Sequence, residues 1–129
     1  MNSISTPFTQ TDLDESETAT TAIAVAFCDL VLEFVAEKRG VTIVEIRSPR
    51  RAVHLVKARA MCVWLLKHYR PGFSYPVIGR WLGDMHHASI IHLFRMGARL
   101  RQDDREFLSD CELFAAKYRR TGEVPYACE

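Results

Sequence analysis

The sequence predicts an all-α protein, a six-helix bundle containing a helix-turn-helix, on three observations. From about Thr20 onwards apolar residues recur at three- and four-residue steps, the period of a helix. No stretch alternates apolar and polar residues in the manner of a half-buried strand. Breaks at Gly40, Ser48-Pro49, Arg70-Pro71-Gly72 and Gly83-Asp84 divide the pattern into pieces of helical length.

Residues 1–18 are rich in Ser, Thr, Asp and Glu and are expected to form a flexible acidic tail. A helical domain is expected over 19–122 and a short tail over 123–129. The first helix places Ile23, Phe27, Leu30, Val31, Phe34 and Val35 on one side, with Lys38 and Arg39 at its negative end and Gly40 just past it. In the second, short helix, Thr42 stands three residues before Glu45, the spacing of a capping box. Ser48-Pro49 then leaves Arg50 and Arg51 in or beside a loop.

The third helix is expected from about Arg51 to Tyr69. Val53, Val56, Ala60, Val63 and Leu66, with Leu55, Cys62 and Tyr69, make its apolar face wide. Ser74 suits the cap of a fourth, short helix ending at Leu82, and Pro76 falls in its first turn, where a missing N–H costs least. A fifth runs from Met85 or His86 to Arg101 and buries Ile90, Ile91, Phe94 and Ala98. The sixth, from about Asp103 to Arg120, uses Phe107, Leu108, Cys111 and Phe114. Trp64 and Trp81 are expected in the core.

A chain of 129 residues with 48% hydrophobic and 26% charged residues has the composition of one ordinary globular domain. Its longest apolar run, residues 22–28, is too short to span a bilayer, and no basic residue precedes Lys38 to form a signal or transit peptide. The expected location is the cytoplasm, with no membrane partner. Cys28, Cys62, Cys111 and Cys128 form no CxxC pair, the first three fall inside apolar helical patterns, and buried reduced thiols are expected rather than a metal site or disulfides. His92 lies six residues from His86 and five from His87, which does not align them as ligands on one helix face. No nucleophile, base and orienting group can be assembled, so neither an enzyme nor a cofactor is expected.

Net charge is +1, but the charges are segregated along the chain. Residues 1–37 carry −7, residues 38–101 carry +11 and residues 102–129 carry −3. A basic block of that size between acidic flanks is the footprint of a polyanion binder. Within it, residues 74–95 read as two helices joined at Gly83, the first short and the second amphipathic, which is a helix-turn-helix pattern. An α-helix fits the major groove of DNA with its first residues against base edges. Here those residues are His86, His87 and Ser89, with Arg80 on the preceding helix.

The stretch from about Leu30 to Leu100 resembles the C-terminal DNA-binding domain of the bacterial replication initiator DnaA, a six-helix, Trp-repressor-like fold with a helix-turn-helix that reads short origin boxes. Val35-Ala36-Glu37, Arg50-Arg51, Arg59 with Ala60-Met61, Ser74 with Ile78-Gly79, Leu82-Gly83, residues 87–92 and Arg95 carry the likeness. The resemblance implies that Arg50, Arg51, Lys57 and Arg59 approach the phosphate backbone. It also implies that Arg80, His86, His87, Ser89 and Arg95 belong to the helix-turn-helix contact. Departures accompany it. Where the family reads Gly-Gly-Arg-Asp-His-Thr-Thr-Val-Leu-His, this chain has Asp84, Met85, His86 and Ala88 in place of the second glycine, the arginine, the aspartate and the first threonine. Ala60 replaces the glutamine after the core arginine. A changed or weakened preference for the standard box is therefore expected, because each good bidentate base contact is worth about 1–3 kcal/mol. No GxxxxGK[ST] loop is present, so no nucleotide is expected to bind.

The expected function is sequence-specific or semi-specific binding of double-stranded DNA, accessory to replication initiation or transcription. Its rival is a protein-interaction module that has lost box recognition and binds the initiator or its regulators.

Overall fold

The structure, a computed structural model, describes residues 15–120, with side chains described over 25–118. Six helices follow in order: α1 (Glu15–Arg39), α2 (Ile43–Ile46), α3 (Val53–Tyr69), α4 (Tyr75–Trp81), α5 (His87–Asp103) and α6 (Arg105–Arg120). Among the described residues there is no strand, so the fold is all-α with a helix-turn-helix at α4–α5. The chain divides into two compact units, 1–30 and 31–129. In the first, the described residues are the opening turns of α1; the second holds the end of α1 and the other five helices. α1 starts at Glu15, not near Thr20, with helix-favouring Glu15, Glu17 and Ala19 at three of the five added positions. The proposed tails fall outside the described residues over 1–14 and 123–129.

Capping chemistry sets several boundaries. The Thr42 hydroxyl accepts from the Glu45 N–H and the Glu45 carboxylate accepts from the Thr42 N–H, both at 3.0 Å, completing the expected capping box of α2. These bonds, the backbone one foremost, hold the Glu45 carboxyl below its ordinary range. Ser74 caps α4 by accepting from the Val77 N–H, and Pro76 sits in the first turn. Asp104 ends α5 and begins α6. One carboxylate oxygen accepts from the Glu106 and Phe107 N–H groups at 3.0 and 3.2 Å, and the other pairs with Lys57 at 3.2 Å.

α3 is buried nearly all round. Leu55, Ala58, Ala60, Met61, Cys62, Val63, Leu65 and Leu66 all lie inside, which is why its apolar residues outnumber one stripe. Val53, expected on that face, lies 73% exposed at the open first turn. α5 packs against α3, α4 and α6. Its buried stripe is Ile90, Leu93 and Gly97, whereas Ile91, Phe94 and Ala98 are half-buried, a rotation of one residue from expectation. The close approach of α3 explains the rotation. A Cβ on Gly97 would stand 2.8 Å from the Ala60 carbonyl oxygen and 2.9 Å from the Trp64 Cβ, so only glycine faces α3 there.

The end of α1, the end of α3 and α6 meet in a group of rings. Phe34 and Phe114 pack edge to face at 5.0 Å, and Tyr69 lies 5.5 Å from Phe114 and 5.3 Å from Tyr118. Arg39 pairs with Asp110 at 3.2 Å beside them. Cys28, Cys62 and Cys111 are buried, and burial pushes the Cys111 thiol up to about 11, so it stays protonated at neutral pH.

The Asp104 cap makes a testable contribution. The Phe107 N–H bond first, then the bond to Lys57, hold its carboxyl below the ordinary aspartate value. A lowered folded pKa means the stabilisation is complete above about pH 4 and fades as pH falls through the folded value. Asp104→Ala is expected to cost about 1 kcal/mol at pH 7, the usual worth of such a cap, and Asp104→Asn less. Urea unfolding at pH 7 and pH 3 checks both, the difference between variants shrinking at the lower pH.

Candidate functional site

The helix-turn-helix is built from local rules. α4 is capped by Leu82, whose N–H donates to the Ile78 carbonyl, and the chain then takes two residues in the left-handed region, Gly83 at φ 89° and Asp84 at φ 62°. The Met85 N–H closes the turn on the Gly79 carbonyl at 2.8 Å. Buried Ile78, Leu82 and Ile90 fill the angle between the helices. His86 is the N-cap of α5, its Nδ1 accepting the Ala88 N–H at 3.1 Å, and its ring stacks on His87 at 4.4 Å. His86, His87, Ala88 and Ser89 are all exposed, so the whole tip of α5 is open to solvent.

Across from this tip lies the connection between α2 and α3. A groove of about 690 Å³ separates them, lined on one wall by Arg47, Ser48, Pro49 and Arg51 and on the other by Gly83, Asp84, Met85, His86, Ser89 and His92. Val56, Arg59 and Leu93 also line it, as does Ala88. Of the residues singled out from sequence, the groove thus brings together Arg51, Arg59, His86 and Ser89. Arg50, Lys57, Arg80, His87 and Arg95 lie outside its lining, His87 stacking on the lining residue His86.

Two of the residues expected at the phosphate backbone have partners inside the protein. Arg59 is 4% exposed, and its guanidinium is spent inside the protein. Nε donates to the Ile46 carbonyl at 2.7 Å, Nη1 to the Arg50 carbonyl at 2.7 Å, and Nη2 to the Glu45 and Ser48 carbonyls at 3.1 and 2.7 Å. Burial draws its pKa below the ordinary arginine value, but an arginine stays charged at any ordinary pH. Lys57 is likewise engaged, bridged to Asp104 just past the last residue of α5. A helix of this length spans roughly 25 Å, so that pairing points the ammonium at the end of α5 opposite His87.

The +11 block is therefore not one face. Arg39 and Lys57 pair with acids, and Lys67 donates to the Pro71 and Phe73 carbonyls at 3.0 and 2.8 Å. Arg101 lies over the half-buried Trp64 ring at 4.3 Å. What remains outward is a smaller set. Lys38, Arg47, Arg51, Arg80, Arg95 and Arg99 are exposed and carry no ion pair among the described residues, and Arg50 is exposed with a 3.4 Å pairing to Glu45.

Arg47 was not legible as a site residue. It is exposed on the groove wall, donates from Nε to the Trp81 carbonyl at 3.1 Å and stands 5.8 Å from the Trp81 ring. Trp64 and Trp81, expected in the core, are instead half-buried, each with an arginine against it. Among the described residues no three His, Cys, Asp or Glu side chains gather as a metal site, and no helix is long and apolar enough to cross a membrane.

A short helix, a tight turn and a second helix with an exposed tip define a helix-turn-helix domain. The chain belongs to the bacterial DnaA protein helix-turn-helix family, whose sequence model matches residues 28–96, more than half of its length. It is similar to the chromosomal replication initiator protein DnaA of Pelobacter propionicus, 33% identical over 64 residues, and of Geobacter metallireducens, 29% identical over 84 residues. The same protein of Caulobacter sp. (strain K31) is 31% identical over 91 residues. These matches cover 50%, 65% and 70% of this chain but only 14%, 18% and 18% of those proteins.

Proposed function

We propose that this chain binds double-stranded DNA, with the tip of α5 in a major groove and the loop before α3 on the backbone beside it. The observation that carries this reading is the pairing of an exposed helix tip, His86 to Ser89, with the exposed guanidinium of Arg51 across one groove. Base edges are met by His87 and Ser89, with His86 holding the helix start in place by its cap. Arg50, Arg51, Arg80 and Arg95 meet phosphates, and these contacts fix position without reading sequence. The relatives are named as replication initiators, and the role we assign is accessory to initiation or to transcription. Asp84, Met85, His86 and Ala88 replace groups that the family pattern holds at the turn and tip, so the preferred site differs from the standard box.

Fluorescence anisotropy with labelled duplexes at about 50 mM salt tests the reading. A phosphate contact adds roughly tenfold to affinity at that salt, so Arg51→Ala should bind about tenfold more weakly, and equally so on unrelated sequences. Absence of binding by the unmodified protein at micromolar concentration would overturn the reading and favour a protein partner.

A further inference from the structure

We infer that Arg59 is a positioning residue: it folds the segment from Glu45 to Arg50 around its buried guanidinium and so holds Arg50 and Arg51 at a fixed place relative to the tip of α5. The inference rests on the DNA-binding reading and deepens it. Four carbonyls converge on one side chain, from Glu45, Ile46, Ser48 and Arg50, at 2.7–3.1 Å. Few of these carbonyls have alternative partners. Glu45 also receives the Ser48 hydroxyl at 2.7 Å, which tightens the same turn, and the Arg50 N–H reaches the Ser48 oxygen at 3.3 Å. Without the guanidinium the carbonyls of Ile46, Ser48 and Arg50 would lose these bonds, and the stretch from the Ser-Pro break to Arg51, with its adjacent like charges, would lose its tie to α3.

The other side of the segment is fastened to the helix-turn-helix. The Arg47 Nε bonds the Trp81 carbonyl at the end of α4, and the Arg47 carbonyl lies where a side chain on Gly83 would stand. The loop is therefore gripped twice, by Arg59 from α3 and by the turn from α4. Loop and α5 tip then move as one body, and the spacing between backbone and major-groove contacts is set before DNA arrives. Only a planar fork with five donors can serve four carbonyls at once; the ammonium of a lysine cannot.

The experiment compares Arg59→Lys and Arg59→Gln with the unmodified protein by anisotropy over a salt series, with circular dichroism confirming the helices. A phosphate-contacting arginine would tolerate lysine, whereas a loop organiser would not. The expected result is that both variants lose tenfold or more at about 50 mM salt, and that the slope of log K against log salt shrinks by up to about 1.8, the worth of two contacts. In the Arg59→Lys background, Arg51→Ala should then cost almost nothing further. Should Arg59→Lys keep the slope, or should Arg51→Ala still cost its full tenfold, the inference fails while DNA binding stands. If the unmodified protein does not bind, both fail. If the variants do not fold, arginine Nε–H spectra of the unmodified protein decide: duplex should shift Arg51 and leave Arg59 protected and unmoved, and a large Arg59 shift overturns the inference.

Discussion

Gly83→Ala is expected to destabilise the protein by about 3 kcal/mol and to abolish the relation between the two halves of the site. Two costs add. Gly83 has φ 89°, in the left-handed region where a side chain costs roughly 1–2 kcal/mol. Its new Cβ would also overlap the Arg47 carbonyl, a backbone atom that cannot rotate away, and overpacking of this kind costs about 1–3 kcal/mol. A loss of about 3 kcal/mol lowers the melting temperature by roughly 10 °C in a domain of this size. Asp84 supplies the contrast. It holds φ 62° with a side chain, so Asp84→Gly relieves strain and is expected to be neutral or stabilising by up to about 1 kcal/mol. Thermal unfolding followed by circular dichroism separates the two variants, and equal effects at both positions would contradict this account of the turn.

DNA affinity is expected to fall about 150-fold between 50 and 200 mM salt. Four phosphate contacts, from Arg50, Arg51, Arg80 and Arg95, give a slope near −3.6, and a fourfold rise in salt raised to that power yields the figure. The +11 of the central block would imply a far steeper dependence if every charge met DNA. Internal engagement of Arg39, Lys57, Arg59, Lys67 and Arg101 removes five of the block's thirteen cations from that count, and the four contacts are the ones proposed among the rest. A slope beyond about −7 would mean that these side chains reach phosphates after all. One shallower than about −1 would remove the electrostatic basis of the interface.

The elements that sequence reasoning recovers are those whose causes are local. Thr42 and Glu45, Ser74 and Pro76, and Gly83 act within a few residues of themselves, so their spacing alone announces a cap or a turn. Arg59 is different: its partners are main-chain carbonyls 9 to 14 residues away, and carbonyls leave no trace in a sequence. Lys57 and Asp104 are 47 residues apart, and nothing in either neighbourhood marks them as a pair. Apolar periodicity misplaces the buried face of α5 by one residue because Gly97 reads as a gap in the pattern, although its smallness is what lets α3 approach. Arg47 was missed because its role comes from Trp81, 34 residues on. Charge summed along a chain overstates charge presented on a surface for the same reason, since tertiary partners consume part of it.

Amide chemical-shift mapping of the labelled protein with a short duplex at low salt bears most directly on the DNA-binding surface. Shifts are predicted to concentrate over residues 47–51 and 84–92, with side-chain changes at Arg51, His87 and Ser89, and to leave the ring cluster of Phe34, Tyr69 and Phe114 unmoved. Shifts centred on α6 or on the far end of α5 near Asp104, with the α5 tip silent, would contradict it.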